Sequence, residues 1–217
     1  MNEETKILLS FAEERLMQDT DVILTKLAVM AKVEAMFGRL ADIYRTAAAP
    51  LHGLLPTVMV RQPKISRGEK HDQLPWVMLD YPGHFSKTEG QLAVRSFFWW
   101  GRYFSIQLQA SGAYLPALRQ ILLQQKAQLE ADGWQMALVA TAWDYKLPLV
   151  GIDIVHFADN SAVLKVARAF PLQQLNLVER YFTTHFEKLA KVIEAAFRHL
   201  SDETGPSPDS SRAQFGL

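Results

Sequence analysis

The stretch Leu92-Ala93-Val94-Arg95-Ser96-Phe97-Phe98-Trp99-Trp100-Gly101-Arg102-Tyr103-Phe104-Ser105-Ile106-Gln107-Leu108-Gln109-Ala110 decides how the chain folds. Two apolar, aromatic-rich runs flank Gly101-Arg102. They read as an antiparallel hairpin, and glycine at the first central position suits a two-residue type II′ turn. In that register Arg95 shares a face with Phe97, Trp99, Ile106 and Leu108. The other face carries Val94, Phe98 and Trp100 on one strand and Tyr103, Ser105, Gln107 and Gln109 on the next. A competing signal lies just upstream. Ser86-Lys87-Thr88-Glu89 is a capping-box pattern, which would make 87–98 a helix leading into one strand. The aromatic density favours the hairpin.

Working outward, 74–80 reads as a strand bounded by Pro75 and Pro82. Alternation puts Trp76, Met78 and Asp80 on one face and Val77 and Leu79 on the other. The segment punctuated by Pro50, Pro56 and Pro63 is too apolar for a solvated linker and reads as a packed connection. Two helices precede it. Residues 3–18 carry the stripe Leu8, Phe11, Ala12 and Leu16, with Asn2 as cap and Glu3 and Glu4 in the first turn. Residues 21–47 repeat Ile23, Leu27, Met30, Phe37, Ala41 and Tyr44 at helical spacing. Leu24, Ala28, Ala31 and Ala35 widen that stripe, so this helix is expected to be covered by the sheet and by another subunit.

Downstream, Ser111-Gly112 opens a helix over 113–131, and 134–142 reads as a strand. Residues 149–157 and 161–169 read as an antiparallel pair around Asp159-Asn160, both tolerant of positive φ. The last helix has Asn176 and Glu179 as a capping pattern. Its seam is Leu175, Val178, Phe182, Phe186, Leu189, Ile193, Ala196 and Leu200, with Glu187–Lys191 and Glu194–Arg198 in the favourable i,i+4 order. Residues 201–217 turn to Ser, Asp, Pro and Gly and are expected to be a disordered tail. The expected fold is α+β over a single domain of residues 1–200. It is a mainly antiparallel sheet packed with N-terminal helices, a middle helix and a long C-terminal helix.

Composition excludes several classes of function. The chain has 217 residues, no cysteine, 23 Lys plus Arg against 23 Asp plus Glu, and 49% hydrophobic residues. A disordered chain would be less apolar. Disulfide scaffolds, thiol catalysis and thiolate zinc sites need cysteine. Neutral balance argues against nucleic acid as a partner. No run approaches the roughly 20 apolar residues of a membrane span. No secretory pattern opens the chain, so cytoplasm is the expected location. The dinucleotide, P-loop, nucleophile-elbow and zincin motifs are missing, and no cofactor and no metal are expected.

Candidate site residues come from charges and aromatics in unusual places. Asp80 at a strand end with His84 beyond Pro82-Gly83 offers a base and an orienting carboxylate. The plainer reading is a turn cap and a loop histidine. Arg95 on an apolar face needs an acid or a ligand anion, and Asp80 and Asp153 are the candidate partners. A structural ion pair is favoured over a ligand clamp. Trp76, Trp100, Tyr103, Ser105, Gln107 and Trp143 mix apolar rings with hydroxyls and amides, as a small-molecule pocket does. Trp143-Asp144-Tyr145 otherwise caps a strand end. His156 reads as a satisfied core histidine. Lys64, Arg67 and Lys70 near His71, interleaved with Glu69 and Asp72, read as a solvated loop.

The run Leu79-Asp80-Tyr81-Pro82, then Arg95, Phe98-Trp99-Trp100-Gly101 and Phe104-Ser105, resembles a family of uncharacterised small bacterial soluble proteins. Lys165 to Gln174, with Phe170-Pro171-Leu172, is similar too, so the likeness spans roughly 64–197. It implies no activity. It implies only that the Asp80 region and the Trp99-Trp100 turn belong to one defining surface. The expected function is therefore a non-catalytic ligand-binding or protein-interaction and assembly domain. A homodimer and a small apolar ligand are the expected partners, without nucleic acid or membrane. The alternative is a hydrolase or transferase with a cleft around Asp80, His84 and Arg95.

Overall fold

A computed structural model describes residues 7–154 and 162–203, with side chains to Arg198. Its order is α1 (Phe11–Gln18), α2 (Thr20–Ala47), α3 (Leu51–Leu54), α4 (Pro56–Met59), β1 (Lys64–His71), β2 (Leu74–Ser86), β3 (Gly90–Trp99) and β4 (Tyr103–Ala110). Then come a 3-10 turn (Gly112–Tyr114), α5 (Leu115–Gln124), α6 (Lys126–Ala131), β5 (Gln135–Val139), β6 (Val163–Phe170), a second 3-10 turn (Leu172–Leu177) and α7 (Val178–Glu203). The architecture is α+β. The six strands form one sheet in the order β1-β2-β3-β4-β6-β5, and every neighbouring pair is antiparallel.

One sheet face is apolar and packs under the helices. Leu79, Val94, Phe98, Phe104, Ile106, Leu108 and Val166 meet Phe37, Leu40 and Tyr44 of α2, Leu118 of α5, and Phe182, Phe186 and Leu189 of α7. Each large side chain buried there contributes about 1.5–3 kcal/mol. The α7 seam does what its spacing predicts from Val178 to Ala196. Leu175 instead sits in the 3-10 turn and is exposed. Tyr44 stacks on Phe186 at 3.7 Å, and its hydroxyl is 2.7 Å from Ser96 Oγ, so these two buried hydroxyls satisfy each other.

The hairpin forms, but its turn is one residue longer than expected. Trp99 pairs with Tyr103, leaving Trp100-Gly101-Arg102 as a three-residue loop. Arg102 N–H donates to the Trp99 carbonyl at 3.0 Å, and Gly101 takes φ +68°, which glycine tolerates without a Cβ penalty. One residue in a turn moves every side chain of the next strand to the other face. Arg95 therefore faces the same way as Tyr103, Ser105, Gln107 and Gln109, and Ile106 and Leu108 join the apolar core. The Ser86–Glu89 pattern caps the β2–β3 turn, where Ser86 Oγ accepts from the N–H groups of Thr88 and Glu89; no helix starts there.

Other expectations are corrected. The first helix starts at Phe11, because Ser10 and Glu13 form the capping box; Asn2 lies outside the described residues. The 64–72 segment is largely strand β1, not loop. β2 runs 13 residues through Pro82. Pro82 has no N–H for the ladder, and an inner strand accommodates it only at a bulge. The register shifts there, between Asp80 and Gly83. Residues 149–154 form no strand. They make a single bridge, Leu138 to Ile152, because β6 is already paired on both edges by β4 and β5. Asp153 is exposed there. His156, Asp159, Asn160 and the tail from 204 lie outside the described residues.

Candidate functional site

The second sheet face holds a buried polar cluster. Cross-strand pairing lines up Asp80, Arg95 and Gln107, with Gln109 and Lys165 paired in the adjacent row. Arg95 is 2% exposed and Lys165 is 0% exposed. Arg95 Nε and one terminal nitrogen donate to the two Asp80 oxygens at 2.6 and 2.8 Å. Its other terminal nitrogen donates to the Tyr145 hydroxyl at 2.6 Å. Burial lowers the Arg95 pKa, but the hydrogen bonds and charge of Asp80 outweigh it and hold the pKa above its ordinary value. The expected structural ion pair is thus present, with Asp80 as the partner and Asp153 elsewhere.

The segment after β5 covers this face. Tyr145 is buried against Met78, Phe97 and Trp99. Tyr103 anchors the cover: its hydroxyl donates to the Tyr145 carbonyl at 3.1 Å and accepts from Leu147 N–H at 2.9 Å. Gln109 donates to Gln107 at 3.4 Å, and Gln107 donates to Ser105 at 3.2 Å. Gln109 Oε1 has no partner. Lys165 donates to the Asp144 carbonyl. Burial lowers its pKa to about 8, Asp144 pulls the other way, and Arg95 adds to the lowering. Gln109 is on the polar hairpin face that the sequence outlines and Tyr145 is in the expected strand-end cap, whereas Lys165 is a site residue that the sequence reading does not single out. A lysine between Leu164 and Val166 is the same signal that flagged Arg95.

The bulge separates His84 from Asp80. Without it the two would share a face. With it, His84 pairs with Leu92 of the apolar core and lies edge-on to Tyr114 at 5.6 Å. Its Nε2 is 2.9 Å from Glu89. The structure therefore brings Asp80 and Arg95 together and puts His84 across the sheet. Among the proposed ligand-binding residues, Tyr103, Ser105 and Gln107 share the polar face with Trp76, while Trp143 stands exposed with the Arg95 guanidinium 5.9 Å from its ring. Trp100 is elsewhere, on the helical side. Among the described residues no group of three His, Asp or Glu side chains is placed to hold a metal ion, and no helix is long and apolar enough to cross a membrane.

Trp100 lines a groove of about 780 Å³. Val33 and Met36 of α2, Phe98 and Phe104 of the hairpin, and Leu175 form its apolar walls, with Lys32, Arg39 and Glu179 among its lining residues. Beyond the groove α2 is tied to β1 through Lys26 and Glu69, and its side chains before Lys26 are exposed. No residue of α1 is buried, and the first buried residue of α2 is Met30. The projecting arm is apolar: Leu8 is 87%, Phe11 81%, Met17 70% and Leu24 61% exposed.

No protein-family model, curated protein or solved structure matches the chain.

Proposed function

We propose that the chain is a binding and assembly protein that works as a homodimer joined through its N-terminal helical arm. The observation that carries this is the exposed apolar surface of Ile7 to Leu27. Together these side chains offer on the order of 1,000 Å², against the roughly 800 Å² per partner of a stable interface. Exposed apolar area of that extent marks an interaction surface. The arm carries Glu13, Glu14, Asp19 and Asp21 against Arg15 and Lys26. That balance suits a protein partner; anionic membrane surfaces and nucleic acids call for a basic face. In this reading the Leu79–Pro82 and Phe98–Gly101 motifs are those of uncharacterised small bacterial soluble proteins that the chain resembles, and they imply no activity.

The polar face supports a structural role for Asp80 and Arg95, since each satisfies the other and Tyr145 completes the fork. The hydrolase or transferase alternative needs three side chains to converge, and His84 is on the far face. Light scattering at low micromolar concentration tests the dimer. A mass of twice 24.6 kDa is expected, and Leu16→Glu with Ile23→Glu should halve it. A wild-type monomer over a tenfold dilution range overturns the reading.

A further inference from the structure

The arm and the groove are the two large unsatisfied apolar features of the described residues, and they match. We propose that the arm of one copy seats in the groove of a second copy, and that the exchange is reciprocal. This rests on the homodimer reading and names where the joint is made.

Length fits first. The groove floor is α2 from Val29 to Arg39, about 15 Å at 1.5 Å per residue. α1 has 8 residues, about 12 Å by the same rise, and presents Phe11, Ala12 and Leu16 at helical spacing, with the exposed Leu8 just before it. The arm of the same chain is poorly placed for this seat. α1 joins α2 at Asp19, so folded back antiparallel it would flank Thr20 to Ala28 and stop short of Val29. The arm of a second copy has no such tether.

Charge fits second. α1 opens with Glu13 and Glu14; in the groove Arg39 is paired with Glu179, which leaves Lys32 as the net positive charge of the lining. An acidic helix start beside this cation favours one direction of docking. Surface chemistry fits third. Leu175, at 61% exposure, and Leu177, at 45%, are left uncovered beside the groove, and an arm seated there would cover Leu175 on the groove wall. Reciprocal seating uses the same two patches on both copies and closes a two-fold dimer without leaving an open end.

The absence of cysteine makes the test clean. Phe11→Cys and Leu175→Cys are made as separate full-length variants, mixed, and oxidised. The expected product is a covalent dimer holding one of each, formed in the mixture well beyond either variant alone. Lys87→Cys, an exposed residue on the β2–β3 turn, replaces Leu175→Cys as the control and should give at least tenfold less. Separately, Leu175→Glu should raise the dimer dissociation constant at least tenfold. The exposed position leaves folding intact, which a thermal melt verifies. A dimer that cross-links Phe11→Cys to itself, but not to Leu175→Cys, overturns the arm-in-groove joint and leaves the homodimer standing. So does a dimer with no arm cross-link and an apolar small molecule retained in native mass spectrometry. A monomeric wild type removes both readings at once.

Discussion

Replacing Lys165 by methionine keeps the length of the side chain and removes its buried charge. Lys165 is 0% exposed and its pKa falls from an ordinary 10.5 to about 8, with burial the main cause. Between those two values the unfolded chain binds more protons than the folded one. Wild-type stability therefore rises with pH across that window, and the penalty is fully present below about pH 8. The shift corresponds to about 3 kcal/mol at 1.36 kcal/mol per unit. About three-quarters of it is recovered by about pH 10. Lys165→Met carries no such term. The stability of the variant relative to wild type should fall by about 2–3 kcal/mol between about pH 7 and about pH 10. Tyr44 and Tyr181, whose pKa values burial raises, titrate in both proteins and cancel in the difference. Urea unfolding at a series of pH values gives the comparison. A difference that does not change with pH shows that Lys165 is not held desolvated, and the reasoning fails.

Arg95→Met strands the Asp80 carboxylate in the interior and should cost about 3–5 kcal/mol, whereas Asp80→Leu with Arg95→Met should recover most of it; urea midpoints decide. Tyr145→Phe removes one acceptor of the guanidinium and should cost about 1.5–3 kcal/mol, with the same readout. Gly90→Ala should lower stability by about 3 kcal/mol, since crowding and a positive φ add; its Cβ would lie 2.3 Å from the Ser111 carbonyl at φ +97°. Gly101→Ala, at φ +68° with open space around it, should cost about 1 kcal/mol in a thermal melt. Equal losses at the two glycines would contradict the close backbone approach at Gly90.

Much of this site is legible in the sequence. A charge in the middle of an apolar strand is expensive wherever it falls, so Arg95 demanded an acid and Asp80 was a candidate. Its neighbours were harder. A two-residue turn puts Ser105 and Gln107 on the face opposite Arg95, and the turn closes with three. Alternation alone groups His84 with Asp80 and does not announce a bulge; Pro82 suggests a strand end, whereas the register shifts there and the strand goes on. Asp153 was placed on a strand that does not form, because 149–154 resembles a strand and only the occupied edges of β6 show that it has no place to pair. These differences turn on local energies that are small beside the packing of two sheet faces.

By itself, then, the sequence determined the antiparallel hairpin, the apolar seam of the last helix, and the need of Arg95 for an acid. Each follows from a period or a transfer cost carried by one segment. The tertiary structure alone decided which strands are neighbours, which face Arg95 shares with Gln107 and Lys165, and that the N-terminal arm stays uncovered while a groove lies open beside it. Register and coverage belong to pairs of segments. They are set when turns close and faces pack against one another, and no single stretch of residues contains that information.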